Sequence, residues 1–89
     1  MRANVRRAVL KQRNNMMKKK NVVAVMSGRE HKDGQKTGRD AVVVLVKEKL
    51  ELSSLRLEDL VPTNLTENGE EIPTEEETLE YTLMVEAQV

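Results

Sequence analysis

The chain has 89 residues, enough for one small domain; 38% of them are apolar, and Tyr81 is the single aromatic residue. A chain of this length buries only about 60–65% of its unfolded surface, so its core is light and a partner could help to complete it. The lack of cysteine and the presence of one histidine exclude a disulfide framework, a thiolate nucleophile and most histidine metal sites.

Charge is unevenly distributed along the sequence, although the formal net charge is zero. Residues 1–20 hold eight basic and no acidic side chains, whereas residues 51–89 hold one basic and eleven acidic side chains. This asymmetry points to an acidic partner for the N-terminal segment, nucleic acid among them, or to contact between opposite ends of neighbouring copies.

The first predicted element is a helix over residues 3–20, which contain neither proline nor glycine. Its apolar face, set by helical spacing, consists of Val5, Ala8, Val9, Gln12 and Met16. Basic stripes flank this face on both sides. The candidate partner-binding face consists of Arg6, Arg7, Lys11 and Arg13. The alternative is a solvated helix surface that binds nothing.

Two β-branched apolar runs, residues 21–27 and 41–46, predict buried strands. Asp33-Gly34 lies between them and favours a type I′ turn, because glycine accepts the positive φ that this turn requires. The two strands should therefore pair as an antiparallel hairpin. Lys47, Glu48 and Lys49 then end the second strand in water.

The segment after the hairpin predicts a short helix followed by an exposed connection. Residues 52–60 offer a serine cap and leucines at helical spacing, and Pro62 stops the pattern. Residues 61–77 are polar, with Asn68-Gly69 and Pro73 as turn residues and an acidic run at residues 75–77. We expect little regular structure between residues 61 and 77.

Residues 79–89 alternate apolar and polar side chains and predict a long strand with one wet face. A long open strand edge is normally blunted or used for pairing, so we take it as a second interface. The residues of this predicted strand edge are Tyr81, Leu83, Val85, Ala87 and Val89.

These elements define one α+β domain: an N-terminal basic helix, an antiparallel β-hairpin, a short helix and a long C-terminal strand in one small sheet. Residues 1–20 form the basic arm and residues 21–89 the small α+β domain. The predicted core consists of Val22, Val25, Val42, Val44, Val46, Leu55, Leu60, Leu79, Leu83 and Val85.

Several of these stretches, in this order and spacing, resemble a known protein segment. They are residues 21–25, Gly28, residues 32–38 and 41–50, Leu55, residues 60–62 and residues 72–75. Together they resemble the N-terminal segment that precedes the catalytic barrel in a group of bacterial and plant trypsin-like serine peptidases. Ala24 and Met26 stand where that group usually has glycine, and Glu75 stands where it has aspartate. No residue matches a catalytic triad position, so the resemblance implies a fold fragment without the chemistry.

Catalysis, metal binding and cofactor binding are not expected from the residues. His31 is the available base, with Ser27, Ser53 or Ser54 as nucleophile, but charged neighbours predict a solvated surface histidine. The acidic residues at 70–71 and 75–77 lack the alternating ligands and central glycine of a calcium loop. The glycines at positions 28, 34 and 38 lie in one hairpin, not at a strand-to-helix turn that would hold phosphate.

The leading hypothesis is a non-catalytic structural module that assembles with other protein subunits, its own copies or a larger complex. Its most concrete form is a bacteriophage virion component, either head-associated or a connector protein. One alternative is electrostatic, sequence-nonspecific binding of nucleic acid by the basic helix. A second is a regulatory module for a separate peptidase domain. No apolar run reaches a membrane span, so an intracellular or virion location is expected.

Overall fold

The computed structural model describes residues 2–79, apart from the side chains of Arg2 and Leu52. The elements in chain order are α1 (Arg2–Met17), β1 (Val22–Lys32), β2 (Gln35–Val46), two 3-10 turns (Leu52–Ser54 and Leu57–Asp59), β3 (Asn64–Glu67) and β4 (Glu70–Thr78). The strands form a four-stranded sheet in the order β1-β2-β4-β3. The predicted α+β fold is confirmed.

Helix α1 packs on one face of the sheet through the stripe that its spacing predicts. Val5, Ala8 and Met16 are buried, while Val9 and Gln12 are partly buried. In the core they meet apolar side chains of three strands, namely Val25, Val42, Val44, Val46 and Ile72. Burial of each valine or isoleucine stabilises the fold by roughly 1.5–3 kcal/mol relative to exposure. Aliphatic packing thus holds α1 to the sheet.

The β1–β2 hairpin has the predicted antiparallel pairing and turn. Asp33 and Gly34 both have positive φ, 52° and 78°, as a type I′ turn requires. The pairing changes register between Arg29 and His31, where β2 has extra residues. The side chain of Glu30 is buried beside this irregularity and accepts a hydrogen bond from Thr37 Oγ1 at 2.8 Å.

The helical structure predicted over residues 52–60 forms as two separate 3-10 turns and not as one short helix. Its leucine spacing does not create a buried helical face, since Leu57 is 85% exposed. The second turn instead forms hydrogen bonds with the residues that follow α1. Asp59 is buried, and its Oδ1 accepts a hydrogen bond from the backbone N–H of Lys20 at 2.9 Å. Nearby, Lys19 Nζ donates to the carbonyl oxygen of Glu58 at 2.6 Å.

The predicted exposed connection over residues 61–77 is wrong, because most of it forms β3 and β4. Asn68 and Gly69 have positive φ, 53° and 77°, and connect these strands in an antiparallel hairpin. Strand β4 pairs in parallel with β2, from Val42 with Thr74 to Val46 with Thr78. The apolar anchor of β4 is Ile72, which is fully buried. The sheet is therefore mixed, with the longest buried strand, β2, inside it.

The predicted core is partly confirmed. Val25, Val42, Val44 and Val46 are buried, and Val22, Leu55 and Leu60 are partly buried. Leu79 is exposed at 38%, so its core assignment is wrong. Strand β4 ends at Thr78, before the predicted start of the C-terminal strand. The remainder of that predicted strand, with Leu83 and Val85, lies outside the described residues.

Candidate partner-binding surface on helix α1

One flank of α1 is held against the β3–β4 hairpin by polar contacts, and we call it the docked flank (Asn4 and Lys11). Asn4 Nδ2 donates a hydrogen bond to Glu70 Oε1 at 2.8 Å. Lys11 Nζ forms an ion pair with Glu67 Oε1 at 2.9 Å, and the Glu67 side chain is only 7% exposed. Seven residues separate Asn4 and Lys11, about two helical turns, so both point toward the same hairpin.

The other flank faces solvent, and we call it the open flank (Arg6, Leu10, Arg13 and Met17). The 4-3-4 spacing of these residues places them within about 60° around the helix axis. Leu10 is 66% exposed and Met17 is 44% exposed, while both arginines are exposed as well. Within the described chain, neither arginine has an ion-pair partner. The open flank therefore combines unsatisfied positive charge with apolar surface.

The four basic residues predicted as one face are all exposed, but the fold divides them between the two flanks. Arg6 and Arg13 belong to the open flank, and Lys11 belongs to the docked flank. Arg7 lies beside the docked flank, where its guanidinium donates to Asn4 Oδ1 at 3.1 Å. Their role in partner binding stays a prediction, but the arrangement favours Arg6 and Arg13 over the other two.

Leu10 and Met17 are the residues that the sequence reasoning missed. Both lie outside the apolar face that contacts the sheet, so they could have been detected as large apolar residues at positions turned toward solvent. Their alternation with Arg6 and Arg13 repeats every seven residues. This is the spacing of a helix seam that packs against another helix.

Some of the basic side chains outside α1 are paired with acidic ones. Arg29 lies 3.6 Å from Asp40, Arg39 lies 3.9 Å from Glu30, and Lys49 lies 3.9 Å from Glu76. Each of these pairs neutralises one cation of the sheet region. Nonspecific binding of nucleic acid gains affinity from many adjacent cations. The ion pairs therefore favour nucleic acid less than they favour a partner that contacts the open flank alone.

A small pocket of about 210 Å³ adjoins the open flank at its N-terminal end. It lies between α1 and β1 and is lined by Val5, Arg6, Ser27, Gly28, Arg29 and Asp40. Because Asp40 lines the pocket together with Arg6 and Arg29, the pocket has mixed charge. It does not present the uniformly positive lining that a phosphate requires.

His31 lies in a larger cleft of about 480 Å³ between the β1–β2 turn and β4. The predicted solvated surface histidine is partly buried in the fold. Its backbone N–H donates to Glu75 Oε2 at 3.3 Å. Ser27 is four residues away on the same extended strand, about 13 Å, too far for a nucleophile and its base. No group of three metal-ligating side chains occurs among residues 2–79.

The predicted strand-edge interface of Tyr81, Leu83, Val85, Ala87 and Val89 lies outside the described residues. None of the helices that the structure describes is long and apolar enough to cross a membrane. Comparisons with models of protein families, with curated proteins and with solved structures give no match for this chain. The resemblance to the N-terminal segment of serine peptidases therefore stays a prediction.

Proposed function

We propose that this protein is a non-catalytic assembly module that binds another protein subunit through the open flank of α1. The observation that carries the proposal is the alternation of Arg6 and Arg13, which have no ion-pair partner among residues 2–79, with exposed Leu10 and Met17. Apolar side chains in water gain free energy when a partner covers them, and arginine adds bidentate contacts to carboxylates. A surface that offers both is suited to protein recognition.

The open flank favours a protein partner over nucleic acid. Leu10 and Met17 would contribute nothing to counterion release from phosphates, which supplies most of the affinity in nonspecific binding. The described residues also offer no aromatic side chain on which bases could stack. If this protein is a bacteriophage virion component, as proposed from the sequence, the open flank would bind a neighbouring virion subunit.

Site-specific photo-cross-linking in the source organism tests this proposal. A photoreactive amino acid replaces Leu10, and in a matched control it replaces Asn15, which is exposed about 140° away around α1. We expect position 10 to yield a discrete protein adduct, identified by mass spectrometry, that position 15 does not yield. Equal cross-linking at both positions, or adducts with nucleic acid alone, would contradict the proposal.

A further inference from the structure

We infer that the partner element on the open flank is an acidic amphipathic helix of a different protein. This inference rests on the proposed function and specifies the chemistry of its partner. The open flank runs from Arg6 to Met17, about 16 Å along the helix axis. Another helix can lie along the open flank over that length, with its side chains between those of α1.

The two apolar residues of the open flank determine the spacing of apolar residues expected in the partner helix. Leu10 and Met17 are seven residues apart, about two helical turns, and both are substantially exposed. A partner helix with leucine-like side chains repeating at three- and four-residue intervals would cover both of them. Met17 is flexible and adapts to the shape of the covering side chain.

The two arginines of the open flank determine the sign of the charge expected on the partner helix. Arg6 and Arg13 are also seven residues apart, and each alternates with an apolar residue. Lys11, in contrast, is already neutralised by Glu67 at 2.9 Å. A partner helix should therefore carry Glu or Asp between its apolar residues, at the same repeat, where the carboxylates meet the two guanidinium groups.

A second copy of α1 does not meet this requirement. The helix from Arg2 to Met17 contains no acidic residue, so two copies would bring arginines together or place them against apolar side chains. Like charges across an interface disfavour pairing. Since α1 is the α-helix that the described residues contain, they offer no complementary helix, and the contact is heterologous.

The test uses synthetic helical peptides of about 18 residues, long enough to span the open flank. The first peptide alternates Glu and Leu at three- and four-residue spacing, the second replaces Glu with Lys, and the third replaces Leu with Ser. Binding to the full chain is measured by fluorescence anisotropy at low and moderate salt. We expect the Glu/Leu peptide to bind at least roughly tenfold more tightly than either of the others.

Variants of the chain assign the binding to the open flank. Arg6→Glu with Arg13→Glu should weaken the Glu/Leu peptide at least roughly tenfold and strengthen the Lys/Leu peptide. The matched control, Arg7→Glu with Lys18→Glu, makes the same charge change at Arg7 on α1 and at Lys18 directly after it, and should alter affinity less than about twofold. Arg6→Gln with Arg13→Gln serves as a milder variant, and circular dichroism checks that every variant is folded.

The outcomes separate this inference from the proposed function. If none of the peptides binds although position 10 still cross-links to a protein, the acidic-helix partner is wrong and the assembly module stands. If double-stranded DNA of equal charge binds as tightly as the Glu/Leu peptide and both charge reversals weaken it equally, the helix is a polyanion-binding element and both proposals fail. Equal affinity for the Glu/Leu and Lys/Leu peptides would also overturn the inference.

Discussion

At the scale of single residues, Gly28 shows how closely β1 and β2 pack on the sheet face opposite α1. A Cβ atom at this position would lie 2.5 Å from Cγ2 of Val43, a distance that real contacts do not reach. Val43 is buried and has little room to move. Gly28 is therefore required by space, since its own backbone has no positive φ.

We expect Gly28→Ala to lower the free energy of unfolding by about 1–3 kcal/mol, because the added methyl group overpacks the site. Val43→Ala alone leaves a cavity and is also destabilising. In the double variant, however, the new methyl group enters the space that Val43 vacates, so the two effects should not add. Urea unfolding followed by circular dichroism measures the cycle, and strictly additive losses would contradict the assigned contact.

The conformation of a single residue was predictable from the sequence where a local backbone preference determines it. It was not predictable where a contact with a distant part of the chain determines it. Asp33-Gly34 forms the predicted turn because positive φ is a local demand. Asn21 was predicted to open a strand, yet it has a φ of 77° and ends the turn after α1. Its Nδ2 donates to the carbonyl oxygen of Glu48 at 2.6 Å, and its Oδ1 accepts from the Glu48 N–H at 3.2 Å. That pairing depends on Glu48, which follows β2 and is 27 residues away in the chain.

At the scale of elements, the docked flank of α1 shows why β3 and β4 tolerate so many carboxylates. Glu67 is buried but meets Lys11, and Glu70 accepts from Asn4. Near the β1–β2 turn, Glu75 accepts a hydrogen bond from the backbone N–H of His31. The acidic composition of residues 61–77 suggested a solvated loop, because a linear pattern does not reveal partners supplied by distant elements.

The ion pair between Lys11 and Glu67 should contribute measurably to the docking of α1. Lys11→Met keeps the aliphatic part of the side chain but leaves a buried carboxylate without its cation, so we expect a loss of about 1–2 kcal/mol. Lys18→Met is the matched control, since Lys18 is exposed and the described chain gives it no carboxylate. Chemical denaturation measures both variants.

A third variant separates charge from packing in this contact. Adding Glu67→Gln to Lys11→Met removes the unpaired charge and should recover part of the lost stability. Equal stability of Lys11→Met and Lys18→Met would show that the ion pair does not hold the helix. In that case apolar packing by Val5, Ala8 and Met16 would account for the docking by itself.

At the scale of the whole molecule, the charge asymmetry of the sequence is partly resolved inside the fold. The N-terminal basic segment and the C-terminal acidic half are far apart in an unfolded chain, but α1 lies against the β3–β4 hairpin in the folded one. Lys11 with Glu67 joins these two parts of the chain, and Lys49, from the middle of the chain, pairs with Glu76 in the acidic half. Part of the asymmetry therefore stabilises the monomer, while Arg6 and Arg13 are among the cations of the described residues that stay outside these pairs and can attract a partner.

This internal neutralisation predicts that salt destabilises the fold. Raising the ionic strength from about 0.01 M to about 0.1 M shortens the Debye length from about 30 Å to about 10 Å and screens the attraction between the two halves. Because the bridging pairs are partly exposed, the free energy of unfolding should fall by only about 0.5–1 kcal/mol. Lys11→Met should reduce this salt dependence, whereas Lys18→Met should leave it unchanged. Greater stability at the higher ionic strength would mean that repulsion among the α1 cations outweighs their attraction to the acidic hairpin. The positive potential would then belong to the whole helix and would not distinguish the open flank.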